Sequence, residues 1–165
     1  MLIGPSARFQ MTQNKSSYKL MVVEDDDVDF MSIERALNNV IEANIVRFEN
    51  AEDALVYIES HKNGFDCYIL DYILPGESGL EIIKAVRKKD NLTPIVMFTG
   101  KGNENVAVTA MKLGLTDYIV KDSIIESMQN VIDIIERGMA IDSKVRDIES
   151  KLAKLNNKVE NFKKS

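Results

Sequence analysis

Four short runs of mainly apolar residues in this sequence are each followed by an acid, a hydroxyl or an amine: Glu24 with Asp25, Asp71, Thr99 and Lys121. Carboxylates held a few ångströms apart raise one another's pKa, and a divalent cation relieves that repulsion. Oxygen ligands without His or Cys suit Mg²⁺. A carboxylate can attack phosphorus to form an acyl phosphate, while a Lys and a hydroxyl hold the remaining phosphoryl oxygens. If these residues converge, the chemistry that they indicate is phosphoryl transfer onto an aspartate.

Convergence requires that the apolar runs be parallel strands of one sheet. Five short runs have the length and composition of such strands: residues 19–23, 45–48, 67–70, 94–98 and 117–120. Apolar residues at helical spacing follow each run, over residues 28–41, 51–61, 79–89 and 103–113 and beyond residue 123. This alternation predicts an α/β fold, a five-stranded doubly wound parallel sheet with helices on both faces. The strand ends named above then lie at one edge, where open α/β sheets bind ligands.

Capping residues mark several helix ends: Asp26 or Asp27, Asn50, and the capping-box pairs Ser78 with Glu81 and Ser123 with Glu126. Gly114 is an expected helix stop. Capping also offers a plainer interpretation of the acids at positions 24–27, but it explains one or two of them rather than all. An Asp before a Pro-Gly turn, as at Asp71, is likewise commonly a turn residue. Against this interpretation, several strands deliver polar groups to the same edge.

Composition argues against several classes of protein. The formal net charge of -5 argues against a nucleic-acid binder, which needs clustered Lys and Arg. One Cys and one His supply neither a disulfide framework nor a zinc site. No apolar run approaches the roughly 18 residues that span a bilayer, so we expect no membrane segment. The single Cys, which rules out an internal disulfide framework, fits a reducing, cytoplasmic compartment. Residues 1–17 have too short an apolar run for a signal peptide and are expected to be a flexible leader.

Over about residues 18–138 the sequence resembles the receiver domain of two-component response regulators. The resemblance rests on VVED at the end of the first strand, LDYILPGESG around Asp71, MFTG at the fourth strand and DYIVK at the fifth. It implies a flavodoxin-like fold with strand order 2-1-3-4-5. It also implies a signalling module, not an enzyme, that takes a phosphoryl group from a sensor histidine kinase or phosphotransfer protein with Mg²⁺ as cofactor.

The resemblance also assigns roles to individual residues. The expected site comprises Asp71 as phosphoacceptor, Glu24, Asp25 and the backbone carbonyl of Ile73 as further metal ligands, Lys121 as the partner of the acceptor, and Thr99 and Tyr118 as switch residues. Two positions depart from the family pattern. Glu24 stands where Asp is common, although its longer side chain still reaches a metal. Asp122 replaces the usual Pro, and because a cis peptide costs an ordinary residue about 2.5–4 kcal/mol, the loop that carries Lys121 is expected to sit differently.

The tail has a heptad repeat from Ile134 onward. Apolar residues, with Gly138, occupy positions a and d: Gly138, Val145, Leu152 and Val159 at a, and Ile134, Ile141, Ile148, Leu155 and Phe162 at d. This spacing predicts a coiled coil and a parallel homodimer through residues 134–162, with a single amphipathic helix as the alternative. The tail from residue 144 holds seven Lys or Arg against three Asp or Glu, but without interleaved aromatics we expect no nucleic-acid role. The predicted division is a receiver at 18–138 and a coiled-coil linker at 139–165.

Two other functions remain open at this point. A Mg²⁺-dependent aspartyl-phosphate phosphatase uses similar acids but usually places a second Asp two residues after the nucleophile, where this chain has Ile73. A pseudo-receiver that serves only as a dimerisation scaffold would have lost acids, and none of the expected acids is missing. No output motif follows the receiver, so we expect a separate output domain, such as a diguanylate cyclase or a sensor kinase.

Overall fold

A computed structural model of the protein describes residues 17–62, 64–100, 103–121 and 124–164. Strands and helices alternate along these residues in the order β1 (Tyr18–Val23), α1 (Asp27–Asn38), β2 (Ala43–Phe48), α2 (Ala51–Ser60), β3 (Cys67–Leu70), α3 (Gly79–Arg87), β4 (Ile95–Thr99), α4 (Glu104–Lys112), β5 (Asp117–Val120) and α5 (Ile124–Lys164). All strand pairs are parallel, in the order β2-β1-β3-β4-β5. The predicted five-stranded, doubly wound fold with an extended C-terminal helix is therefore confirmed.

The core has one layer on each face of the sheet, because alternate strand residues point to opposite faces. On one face, Met21 and Leu70 pack with buried residues of α2, α3 and α4. On the other, Leu20 and Ile69 pack with buried residues of α1 and α5. Strand β3 is buried on both faces along its whole length, as expected for a central parallel strand. Each fully buried Leu or Ile contributes about 1.5–3 kcal/mol relative to an exposed one.

Most of the predicted helix ends are observed. The predicted caps Asp26 and Asn50 each accept a backbone hydrogen bond at the start of a helix. Asn103, predicted only as the approximate start of the fourth helix, does the same. Gly114 has the left-handed φ of 101° that the predicted stop at the end of α4 requires.

The capping box predicted at Ser78 and Glu81 is wrong. Ser78 is the N-cap residue of α3, but its side chain makes no capping hydrogen bond. The Glu81 carboxylate instead accepts a hydrogen bond from the Lys84 ammonium at 2.7 Å. A charged donor is a stronger partner for a carboxylate than a backbone N–H, which accounts for the difference. The second predicted box begins at Ser123, and that residue lies outside the described part of the chain, as do Asp122 and residues 1–16 of the expected leader.

Helix α5 is continuous over 41 residues, which corresponds to a length of about 60 Å. Its first turns pack on the domain, where Met128, Val131 and Ile135 are buried. Ile134 is also buried, and a Cβ atom at Gly138 would lie 2.4 Å from Cγ of Pro94. The prediction that the coiled-coil seam begins at Ile134 is therefore wrong at its start, because the domain itself covers these first two positions.

Beyond Gly138, the helix carries apolar side chains that the domain does not cover: Ile141, Ile148, Leu152, Leu155, Val159 and Phe162. Val145, at the a position between them, is half-buried. None of the helices in the described ranges combines the length and apolar character needed to cross a membrane.

Candidate functional site

Three carboxylates meet at the carboxyl edge of the sheet. One oxygen each from Glu24, Asp25 and Asp71 lies within 4.8 Å of the other two. Parallel register explains this proximity, since Val23 pairs with Leu70 and the next residue of each strand is an acid of the cluster. Glu24 is buried, Asp71 is half-buried and Asp25 is exposed. The cluster therefore lies at the base of an open cleft of about 520 Å³, which Thr99, Ile73 and Lys121 also line.

Lys121 reaches into this cleft from the end of β5. Its ammonium Nζ lies 2.7 Å from Glu24 Oε2 and 3.6 Å from Asp71 Oδ2. Its backbone N–H donates to the Thr99 carbonyl at 2.9 Å, which fixes the start of the loop against β4. Burial acts to lower the pKa of Lys121, but hydrogen bonds to Asp29 and Glu24 outweigh it and raise that pKa above the ordinary value. The lysine is therefore charged at neutral pH. Although Asp122 replaces the usual Pro at the next position, Lys121 still reaches the site.

Glu24 is the most buried acid of the cluster, with 1% of its surface exposed. Burial raises its pKa, while the hydrogen bond from Lys121 opposes that rise. Its other oxygen, Oε1, accepts a hydrogen bond from the backbone N–H of Asp26 at 3.1 Å. The charge of this carboxylate thus depends on cations close to it.

Thr99 is fully buried at the end of β4. Among the described residues, its hydroxyl is the buried side-chain group that has no hydrogen-bond partner. A buried polar group left unsatisfied costs about 1–3 kcal/mol, so this hydroxyl can form a hydrogen bond with a group that enters the cleft.

Tyr118, the predicted aromatic switch, is half-buried, and its hydroxyl accepts a hydrogen bond from the backbone N–H of Asn103 at 3.3 Å. That contact joins β5 to the start of α4, and Tyr118 does not line the described part of the cleft.

The backbone around Asp71 is held from both sides. Its N–H donates to the Val23 carbonyl at 2.9 Å, and its Oδ1 accepts from the Ile73 N–H at 3.3 Å. Gly79, the first residue of α3, packs so close that a Cβ atom there would lie 2.5 Å from the Asp71 carbonyl oxygen. Only glycine allows that approach, so the glycine eight residues after the acid has a steric reason.

Sequence reasoning missed two residues of this site. Arg47 in β2 donates from Nε to the Glu24 carbonyl at 3.0 Å and from Nη2 to the Asp25 carbonyl at 3.1 Å. It also bonds the Asp27 carboxylate at 2.7 Å, so that it holds the whole acidic loop in place. Asp29 was missed as well, and its carboxylate lies 2.7 Å from the Lys121 ammonium. An arginine within the apolar run at residues 45–48, in a strand that could pair beside the acidic loop, was the available signal for Arg47.

The comparison that decides the family is the match of residues 20–156 to the sequence profile of the response regulator receiver domain. The chain belongs to that family. The regulatory protein VanR from Enterococcus faecium is 36% identical to this receiver over 105 residues, which is 64% of this chain and 44% of VanR. The chain spans less than half the length of curated relatives such as VanR and the transcriptional regulatory protein ResD from Bacillus subtilis.

Solved structures agree with this assignment. A putative response regulator from Chloroflexus aurantiacus is 28% identical with a TM-score of 0.64, over 73% of this chain and 98% of that chain. A response regulator protein from Burkholderia pseudomallei, solved with a phosphorylated aspartic acid, a calcium ion and citrate, is 25% identical with a TM-score of 0.59, over 68% of this chain and 64% of that one.

Proposed function

We propose that this receiver domain accepts a phosphoryl group on Asp71 and transmits the change through its long C-terminal helix. The observation that carries the proposal is the surroundings of the Asp71 carboxylate. Two further carboxylates lie within 4.8 Å and the Lys121 ammonium lies 3.6 Å away. Thr99, whose buried hydroxyl has no hydrogen-bond partner among the described residues, lines the same cleft. Negative charge, positive charge and a hydroxyl thus line the same cleft as the Asp71 side chain.

The proposed reaction is a displacement at phosphorus. One oxygen of the Asp71 carboxylate forms a bond to the phosphorus of a phosphohistidine, and the bond from phosphorus to the imidazole nitrogen breaks. The leaving nitrogen keeps the electron pair and the product is an acyl phosphate on Asp71. Lys121 stabilises the negative charge of the transferred group, since a positioned ammonium acts where charge develops.

The acid cluster fits Mg²⁺. Its ligands are carboxylate oxygens only, which is the donor set that this cation prefers. Glu24, Asp25 and Asp71 would hold it, together with the backbone carbonyl of Ile73. Asp25 is the most accessible of the three acids, whereas both oxygens of Glu24 already accept hydrogen bonds. When bound, Mg²⁺ would neutralise charge on the phosphoryl oxygens, which the acids alone would repel.

Thr99 and Tyr118 are the proposed link from the site to the surface of the domain. A phosphoryl oxygen would give the Thr99 hydroxyl the hydrogen-bond partner that it lacks. Movement of Thr99 towards that oxygen would alter the packing between β4 and β5, where Phe98 pairs with Ile119 and Met97 with Tyr118. The hydrogen bond between Tyr118 and Asn103 would carry that change to α4.

The proposed phosphoryl donor is a sensor histidine kinase or a phosphotransfer protein, in keeping with the family. We further propose that the exposed stripe of α5 forms a parallel coiled-coil dimer, and that an output domain acts beyond it. The domain would then be a switch that does not turn over a metabolite. The phosphorylated aspartic acid of the Burkholderia pseudomallei relative supports the reaction by analogy.

The first test is to incubate the protein with acetyl phosphate and Mg²⁺ and to measure its intact mass. Wild type should gain the mass of one phosphoryl group, and Asp71→Asn should gain none because its amide cannot form the acyl phosphate. Asp147→Asn is a matched control: it removes an exposed carboxylate whose ion pair with Lys151 lies in the tail, so it should behave as wild type. A wild type that gains no mass would favour the scaffold function instead.

Multiple turnover of acetyl phosphate would distinguish a phosphatase from a receiver. If the chain were such an enzyme, it would release inorganic phosphate from acetyl phosphate for many cycles. A receiver instead accumulates the modified form and releases phosphate at the rate at which that form decays. Measuring phosphate release together with the phosphorylated fraction distinguishes the two functions.

A further inference from the structure

Lys121 makes its shortest contacts with Glu24 and Asp29, and not with the proposed phosphoacceptor. Its Nζ lies 2.7 Å from a Glu24 oxygen and 2.7 Å from Asp29 Oδ2, whereas Asp71 Oδ2 is 3.6 Å away. An N–H donor and an oxygen acceptor form a hydrogen bond at about 2.7–3.2 Å. The Lys121 ammonium is therefore hydrogen-bonded to two acids, whereas Asp71 lies beyond hydrogen-bond distance.

Glu24 and Asp29, the two acids that bind the Lys121 ammonium, differ in their other partners. Glu24 belongs to the carboxylate cluster that would bind Mg²⁺. Asp29 lies in the first turn of α1, outside that cluster, and its own backbone N–H is fixed by the Asp26 side chain at 2.9 Å. Of the described carboxylates within hydrogen-bond distance of the Lys121 ammonium, Asp29 is thus the one that neither the metal site nor the acceptor would engage.

An ammonium has three N–H donors, and two of them point at Glu24 and Asp29. A phosphoryl group on Asp71 would bring additional negative charge and new acceptor oxygens within reach of the same ammonium. It would then compete with Asp29 for the positive charge. Only 7% of the Lys121 side chain is exposed, so the ammonium has little room to serve both partners from a new position.

On these grounds we propose that Asp29 is a positioning residue. It holds the Lys121 ammonium in the unphosphorylated chain and opposes its transfer to the phosphoryl group. Because this inference rests on the proposed function of Asp71, it deepens that function by naming a residue that sets how tightly the phosphoryl group is held.

The test is the affinity for beryllofluoride, a phosphoryl analogue, measured by calorimetry at saturating Mg²⁺. Asp29→Asn keeps the shape of the side chain and removes its charge, so Lys121 is released to the analogue. The Asp29 side chain is 42% exposed, which limits the strength of the pair. We expect about fivefold tighter binding, which corresponds to about 1 kcal/mol.

Two further variants separate positioning from a general effect of charge. Asp29→Glu retains a carboxylate that can reach Lys121 and should bind within about twofold of wild type, a difference well below that of a lost ion pair. Glu34→Gln removes a charge from the same helix. Among the described acids, those that pair with Lys121 or Arg47 are Glu24, Asp27, Asp29 and Asp71, so the affinity of the Glu34 variant should also stay close to wild type. Circular dichroism and thermal unfolding check that each variant is folded.

The possible outcomes separate a failure of the proposed role of Asp29 from a failure of the proposed function of Asp71. Wild-type binding of beryllofluoride with an unchanged or weaker Asp29→Asn variant overturns the role of Asp29 and leaves the proposed function standing. Equal gains for Asp29→Asn and Glu34→Gln also overturn it, because the effect would then be one of charge alone. Failure of wild type to bind beryllofluoride overturns both proposals.

Discussion

The Thr99 hydroxyl is the residue-scale feature that most clearly separates stability from function. It is buried without a partner among the described residues, in a chain whose other strand residues at that depth are apolar. Natural cores pair nearly all of their buried polar groups, so an unpaired one needs a reason. A phosphoryl oxygen on Asp71 would supply the missing partner, and the cost to the resting chain would then be part of the switch.

The Thr99→Val variant tests whether the hydroxyl lowers stability in the resting chain and contributes to binding of the phosphoryl group. Valine has almost the same shape and lacks the hydroxyl, so the free energy of unfolding without ligand should rise by about 1 kcal/mol. The thermal stabilisation caused by beryllofluoride with Mg²⁺ should fall, because one contact to the analogue is lost. Both quantities come from unfolding curves of wild type and variant. A variant that is less stable than wild type without ligand would contradict this account.

At the scale of the elements, Gly138 shows how α5 is seated on the domain. The glycine faces Pro94, just before β4, and leaves no space for a side chain. Strand β4 therefore meets α5 at one end and carries Thr99 at the other. Met139 still packs against the same core layer, so the first large apolar side chain of α5 that the domain leaves exposed is Ile141.

Gly138→Ala should lower the free energy of unfolding by about 1–3 kcal/mol, since a forced contact with a rigid ring outweighs the gain of up to about 1 kcal/mol in helix propensity. Urea unfolding of both proteins gives the difference. Ser143→Ala is the matched control, because it lies on the exposed part of the same helix and should change stability little. A stabilised Gly138→Ala would mean that the helix is not seated against Pro94.

The elements were predictable from the sequence because their signals are local. Apolar runs fixed each strand to within about two residues, and parallel pairing then required that Glu24, Asp71 and Thr99 share an edge. Contacts that depend on the angle between elements were not predictable. The pair of Lys121 with Asp29 spans 92 positions, and its existence depends on how α1 crosses the sheet. Gly138 could not be told from a coiled-coil position, because spacing alone does not reveal what covers a helix face.

At the scale of the whole molecule, the main feature is the exposed apolar stripe on the C-terminal part of α5. Ile148, Leu152 and Leu155 are all more than half exposed on a helix that leaves the domain. Ion pairs within the helix, Arg146 with Asp142 and Lys151 with Asp147, stabilise it weakly and do not cover the apolar stripe. A second copy in parallel register would cover it with its own stripe, which is why we propose a dimer.

Sedimentation of the wild-type chain should therefore give a dimer. Leu152→Asp with Leu155→Asp places charges in the proposed seam and should give a monomer whose receiver domain is still folded. Ser150→Asp adds a charge at an outward heptad position of the same helix and should remain dimeric. A wild type that sediments as a monomer both with and without beryllofluoride would contradict the dimer.

The measurement that tests the central claim most directly is the location of the phosphoryl group. After incubation with acetyl phosphate and Mg²⁺, borohydride reduces an aspartyl phosphate to homoserine, and peptide mass mapping then identifies the residue. We predict homoserine at position 71 in wild type, with none when Mg²⁺ is removed by a chelator. Modification at Asp25 or another acid, or no modification at all, would contradict the assignment of Asp71 as phosphoacceptor.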